Sequence, residues 1–296
     1  EKDEEHTQIL PVEGERTVLD TDETGDRQDT ENGILYADDF EYTNKTVDIL
    51  DGKGGLTGEK EDYIQSRGGD SGAMARYTNT INGAFEAYKT PDGNRVLRQQ
   101  LDESENGKGN SWNDGDAVTL LGDFRWCNYT ASVDVLFENN AEKAYGSVAI
   151  RQTGGSQNLE DSAGYTFRVS ADGSWKLYRK GTEVLSGSAS DTEKFQKGIN
   201  VWNNLKLQGA GNVIRAYINN HQVAEYTDEQ PITSGRIGLG SAYTHTEFDN
   251  LKVMKLKGFV PYYTELLDNM ETYDLTPEKK EKLVYDGNWS HANGQG

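Results

Sequence analysis

The sequence holds one cysteine, five prolines and four histidines in 296 residues. A single thiol excludes a disulfide framework and a cysteine-based zinc site. Cys127 itself reads as a small strand residue. The histidines at 6, 221, 245 and 291 are scattered, without the His-x-His or His-Glu-x-x-His spacing that holds a metal. No run of about 18 apolar residues is present, so no bilayer-spanning segment is expected. No charged-then-apolar leader opens the chain, and any export signal is expected outside this stretch. Positive charge is short too: 30 Lys+Arg face 50 Asp+Glu, a formal charge of −20. That balance repels a phosphate backbone or an anionic membrane, so neither nucleic acid nor lipid is an expected partner. Neutral, hydroxyl-rich ligands and divalent cations stay open.

What is present points to strands. Apolar residues make up 34 % of the chain, while Gly (33) and Tyr (16) are plentiful. Such a composition suits a thin β-sandwich whose strands show one face to water, not a helical bundle. Tyr129, Ala131, Val133, Val135 and Phe137 occupy alternate positions, the period of a half-buried strand. Further runs are expected at Ala84–Lys89, Val96–Leu101, Ser147–Gln152, Tyr165–Ser170, Trp175–Arg179, Trp202–Gln208, Val213–Ile218, Gln222–Tyr226, Arg236–Leu239 and Phe248–Met254. Less regular ones fall at Asp62–Arg67 and Ala73–Tyr77. Asp172-Gly173 is a hairpin signal, and Asn219-Asn220 marks another turn. Strands about every ten residues, with no helical run between them, indicate an all-β sandwich.

Three regions are expected. Residues 1–32 carry twelve acidic and three basic residues, a net of −9, with almost no aromatics, and read as an acidic linker or tail. Residues 33–257 form the sandwich. Residues 258–296, opened by Pro261 and Pro277, read as a linker and the start of a further, truncated module. A cysteine-poor, Gly-rich acidic chain fits a secreted or cell-surface bacterial protein.

Chemistry is sparse. There is no Gly-x-Ser-x-Gly elbow, no phosphate loop and no Glu-x-Asp-x-x-Glu strand of the kind that places two carboxylates across a glycosidic bond. Two acidic clusters stand out: Asp38-Asp39-Phe40-Glu41 in the first strand and Glu247-Phe248-Asp249-Asn250 in the last. First and last strands of a jelly roll often pair, and converging carboxylates with carbonyl and water oxygens select Ca²⁺. Solvated strand ends are the plainer alternative. Trp112 lies in a polar loop with Asn110, Asn113 and Asp114. An indole there suits stacking on a sugar's C–H face, with the amides and carboxylate for its hydroxyls; folding back over the sandwich edge is the alternative.

Val96-Leu97-Arg98-Gln99-Gln100-Leu101, Ser111-Trp112, Leu121-Gly122-Asp123-Phe124-Arg125-Trp126-Cys127-Asn128-Tyr129-Thr130 and Val133-Asp134-Val135 resemble one family. It is the C-terminal lectin domain of galactocerebrosidases, glycoside hydrolases of family 59. The resemblance spans roughly residues 34 to 256, from Tyr36-Ala37-Asp38-Asp39-Phe40 to Phe248-Asp249-Asn250. It implies a concanavalin-like, laminin G-like two-sheet jelly roll. It also implies a structural calcium ion, held by the carboxylates of Asp39 and Asp249 and by backbone carbonyls at Glu41 and Arg95. Trp112 matches a tryptophan that lines the family's galactose pocket. The family's catalytic glutamates belong to a (β/α)₈ barrel, and this chain has no repeated strand–helix units that could build one. The reading is therefore a non-catalytic module for galactose-containing glycans, working beside neighbouring modules of a parent glycosidase. Alternatives are an accessory wall for an absent catalytic domain, or a structural spacer.

Overall fold

The computed structural model describes residues 33–40, 73–74, 79–106, 116–153 and 164–259. Several expectations fall outside these residues: the acidic segment 1–32, the strand at 62–67, Glu41, the loop carrying Asn110, Trp112, Asn113 and Asp114, and everything from 260 onward.

In chain order the strands are β1 (Ile34–Asp38), β2 (Ala73–Met74), β3 (Asn79–Asn82), β4 (Phe85–Lys89), β5 (Arg95–Gln99), β6 (Ala117–Leu121), β7 (Tyr129–Phe137) and β8 (Tyr145–Gln152). They continue as β9 (Tyr165–Ser170), β10 (Ser174–Arg179), β11 (Thr182–Ser188), β12 (Trp202–Ala210), β13 (Val213–Ile218), β14 (His221–Thr227), β15 (Arg236–Ser241) and β16 (Thr246–Lys255). A four-residue helix, α1 (Glu103–Asn106), precedes β6. One sheet runs β14-β13-β12-β7-β16-β5-β4-β2, with β1 also on β16; the other runs β11-β10-β9-β8-β15-β6-β3. The expected two-sheet jelly-roll sandwich is what forms, and every strand pair among the described residues is antiparallel.

Alternation builds it. Tyr129, Ala131, Val133, Val135 and Phe137 are buried, while Thr130, Ser132 and Asp134 between them are only partly so. The inward set meets Val148, Ile150, Phe167, Val169, Leu177 and Leu239 of the facing sheet in one apolar core. Trp126 is fully buried, edge-on to Tyr129 with centroids 5.9 Å apart. Trp175 packs on Phe167, whereas Trp202 is 36 % exposed. Turn chemistry closes the hairpins. Gly173 takes φ +89 between β9 and β10, and Asn219 and Asn220 both take positive φ, as a tight two-residue hairpin requires.

The structure departs from the sequence reading at three strands and one residue. β3, β6 and β11 carry no clean period. Val118 and Leu120 of β6 are apolar yet face outward, and β11 is an edge strand with no fully buried side chain. Cys127 is buried but lies just ahead of β7 rather than within a strand.

A bulge decides which residues reach the outer surface of β8. Arg151 adopts φ +51, and the β8–β15 register shifts there, so Gln152 returns to the outward face. The Arg151 side chain turns inward and is fully buried. It donates to the carbonyls of Cys127 (2.7 Å), Gly211 (2.7 Å) and Ile232 (2.9 Å) and to Asn128 Oδ1 (3.3 Å). Burial lowers its pKa, while the Tyr165 and Tyr129 hydroxyls oppose that.

Candidate functional site

The outer face of the seven-stranded sheet holds a shallow groove open to solvent. Its lining alternates with the core. Ser147 and Ala149 point out where Val148 and Ile150 point in, and Thr166 and Arg168 flank inward Phe167. The floor is low because β15 contributes Gly238 and Gly240. A Cβ on Gly238 would lie 3.1 Å from Leu120 Cδ2 and 3.3 Å from Ala149 Cβ. One wall is Arg168, whose Nη2 donates to Asp116 Oδ2 at 2.9 Å. Its guanidinium carbon sits 4.0 Å from the Tyr145 ring centre and 5.1 Å from that of Tyr178. Tyr145 donates its hydroxyl to the same Asp116 carboxylate. Arg168 Nε is buried without an acceptor, a spare donor fixed in place by two rings. Burial lowers the Arg168 pKa, but Tyr145 and Asp116 more than offset it, so the guanidinium stays charged. An apolar strip between fixed donors and acceptors fits a flat, hydroxyl-bearing ring. Asp116 lies four positions after Trp112 in sequence.

A second arrangement lies on the other sheet. β1 and β5 both pair with β16, β5 through Thr246–Phe248 and β1 through Leu251–Met254. β7 runs along the opposite edge of β16, so the two strands share one edge and leave a gap between them. Asp38 lies opposite Leu251 and Leu97 opposite Phe248, and Asn250 between those positions takes φ +50. First and last strands therefore do pair. Asp249 accepts from Asn94 Nδ2 at 3.3 Å and from the Asn250 amide at 2.8 Å. Asp38 is held by the Phe40 amide (2.8 Å) and the Tyr36 hydroxyl (3.2 Å). The neighbourhood is short of positive charge. Burial pushes the Glu247 carboxyl up to about 7, with Glu138, Asp92 and Asp249 adding repulsion against the pull of Arg98. Hard oxygen donors at an interrupted strand edge, in excess negative charge, fit a divalent cation.

A third cluster escaped the sequence reading. Carboxylate oxygens of Asp102 and Glu105 and a ring nitrogen of His245 lie within 4.8 Å of one another. Asp102 and Glu105 lie three residues apart, but His245 is far off in sequence, so no local signal could have found the group. Asp102 already accepts from the Ser104 amide and hydroxyl (2.8 and 2.6 Å) and from Asn139 Nδ2. Its oxygens serve the turn into α1 and leave little for a metal.

The comparisons bear on the whole sandwich. Residues 81–256, more than half of the chain, match the family described as "Galactocerebrosidase, C-terminal lectin domain". The chain belongs to that family. A galactocerebrosidase of Salmo salar is 26 % identical to this lectin domain over 142 residues, covering 46 % of the chain and 20 % of the relative. The chain thus spans about a fifth of the length of the curated relative it matches. Solved structures resembling it include a CBM66 carbohydrate-binding module of Bacillus subtilis (17 % identity, TM-score 0.45, 60 % and 95 % of the two chains). A second is a Bacillus subtilis protein with a galectin-like fold (11 %, 0.43, 60 % and 89 %). The VIP36 exoplasmic/lumenal domain in its Ca²⁺/Man3GlcNAc-bound form is a third (9 %, 0.41, 61 % and 84 %). The lectin domain is all-β, and no helix among its described residues is long and apolar enough to cross a membrane.

Proposed function

We propose that this lectin domain is a non-catalytic carbohydrate-binding module of an exported glycosidase, taking galactose-containing glycans. The observation that carries the reading is the groove: a glycine floor between fixed Arg168, Asp116 and Gln152, on a domain of a lectin family. The sugar lies along the floor, with hydroxyls on Arg168 and Gln152. Trp112, Asn110, Asn113 and Asp114 are the further proposed sugar contacts. Galactose as the sugar rests on the family alone, and a bacterial source on composition alone.

Calcium is the proposed structural ion, held by Asp39 and Asp249 with carbonyls at Glu41 and Arg95. An ion there ties β1 and β5 to β16 at the point where their own ladders stop, and favours the folded state by mass action.

One observation favours a second reading. The chain covers only 20 % of its curated relative, so the domain could serve as a wall of a catalytic domain's cleft, with no affinity of its own. A glycan-array screen of the chain in calcium buffer, with Trp112→Ala beside it, decides between them. Binding to galactose-terminated glycans that the substitution removes supports the autonomous module and its loop. Binding that survives keeps the module and moves the contact away from Trp112. No binding at any practical concentration sinks the autonomous reading in favour of the wall.

A further inference from the structure

The groove has a second end that hydroxyl recognition leaves unused. Arg236 stands one outward step beyond Gly238 on β15, paired with Gln152 of β8. Its guanidinium carbon lies 4.3 Å from the centre of the Phe124 ring. Phe124 is 50 % exposed, the most exposed large apolar side chain among the described residues. The other arginines with described ion pairs each hold a carboxylate: Arg98 with Glu138, Arg125 with Asp123, Arg168 with Asp116, Arg179 with Asp228 and Arg215 with Glu225. Arg151, inside the protein, is saturated by carbonyls. Arg236 has no carboxylate among the described residues, and its Nε is buried with no acceptor at all. Among the described residues no acidic side chain compensates this guanidinium. Burial alone lowers its pKa, which is the signature of a cation held dry without an anion.

We infer that the Phe124–Arg236 end of the groove is a subsite for an acidic group on the bound glycan, a carboxylate or a sulfate ester. The inference rests on the carbohydrate reading and names the class of sugar. The anion accepts from the terminal nitrogens of Arg236, a charge-assisted contact stronger than a neutral hydrogen bond. The adjoining ring lies on the exposed face of Phe124. From Arg236 to Gly240 the floor extends about 13 Å at the usual strand rise, a length for an oligosaccharide rather than a single ring. The overall charge of −20 does not oppose this. Charges farther than about 8 Å are screened at physiological ionic strength, and the carboxylates nearest the groove, Asp116 and Asp123, are each held by an arginine. A polyanion such as nucleic acid would still meet the full field, whereas one carboxylate or sulfate per ligand meets Arg236.

The test is calorimetric titration of the whole chain with three galacto-oligosaccharides of equal length: neutral, uronate-bearing and sulfated. Wild type is compared with Arg236→Gln and Arg236→Lys, each checked by its melting temperature. An acidic oligosaccharide is expected to bind about tenfold tighter than the neutral one, as a charge-assisted contact provides. Arg236→Gln removes that preference and leaves neutral binding within about twofold, while Arg236→Lys retains part of it. Preference for only the uronate or only the sulfate names the source of the anion and equally supports the subsite. Equal affinity for all three, or a preference that survives Arg236→Gln, overturns it while leaving the carbohydrate module standing. Failure of all three to bind overturns the carbohydrate reading, and the subsite with it. A fall in melting temperature for Arg236→Gln with unchanged relative affinities assigns Arg236 a packing role instead, against the proposal.

Discussion

Arg151 and Arg236 come from partner strands of one sheet, yet they serve opposite faces. Arg151 turns inward, and its guanidinium donates to three carbonyls and an amide oxygen that close one end of the sandwich. Asp228 extends the same network. It accepts from the Tyr165 hydroxyl (2.6 Å), Arg179 Nε (2.5 Å) and the Gln230 amide (3.0 Å), and Tyr165 in turn accepts from Ile232. Every group there has a partner. On the outer face the polar groups are set but incompletely used: Arg168 and Arg236 each keep a buried Nε without an acceptor. A saturated buried cation stabilises, whereas a cation held in place with donors to spare is arranged for something that arrives later. The same residue type marks structure in one region and recognition in the other, and the hydrogen-bond accounting separates them.

That contrast can be broken most severely at the closed end. Arg151→Ala leaves several buried carbonyls unpaired and is expected to cost about 3 kcal/mol or more in a urea titration, at 1–3 kcal/mol per orphaned group. The folded fraction should still bind glycan. Loss of binding with little loss of stability would reverse the roles assigned to the two regions. Next in size is calcium. Chelation should lower the melting temperature, by the equivalent of about 2.7 kcal/mol if the free ion stood at a hundred times its Kd. Asp249→Asn should make the protein insensitive to chelation; an unchanged melting temperature in the wild type argues against the ion.

Filling the groove is a binding experiment. Gly238→Val puts methyls against Leu120 and Ala149, so affinity should fall more than tenfold by titration, for a stability cost of about 1–3 kcal/mol. Undiminished affinity would move the sugar elsewhere. Asp228 supplies a pH test of the closed end. Burial alone would raise its pKa, but the Tyr165 hydroxyl, Arg179 and the Gln230 amide together hold it below the usual carboxylate range. A group depressed in the folded state contributes stability above its unfolded pKa, and the contribution is lost as pH falls through the folded value. Below about pH 4 the wild type should therefore lose more stability than Asp228→Asn, by denaturant titration across that window. The smallest expected effect is Phe124→Ala. Half exposed, it should change stability by less than about 0.5 kcal/mol while weakening glycan binding a few-fold. An equal loss of stability and affinity would make the ring a packing element.

Much of the architecture was legible because period and turn chemistry are local. The alternation from Tyr129 to Phe137, the Asp172-Gly173 turn and the Asn219-Asn220 turn each predicted what forms. The pairing of first strand with last followed from jelly-roll topology. β6 and β11 were not legible. Val118 and Leu120 are apolar on the outward face and blur the period of β6, and edge strand β11 has no buried row to produce one. The site was legible only in part. Trp112 and its neighbours, expected from residue chemistry, lie outside the described residues, and the Asp39–Asp249 pair, expected from acidic clustering plus topology, stands as a proposal. The groove was not legible, because Arg168, Gln152, Gly238 and Arg236 are ordinary residues in three different runs.

By itself the sequence determined the class of fold, since hydrophobic alternation, turn residues and the want of cysteine act within a few positions of one another. It determined the family as well, through the block from Val96 to Val135. Only the tertiary structure decided which arginines are satisfied. That depends on a bulge at Arg151 that swaps which side chain faces out, and on partners brought from as far away as Ile232, contacts that no local pattern encodes.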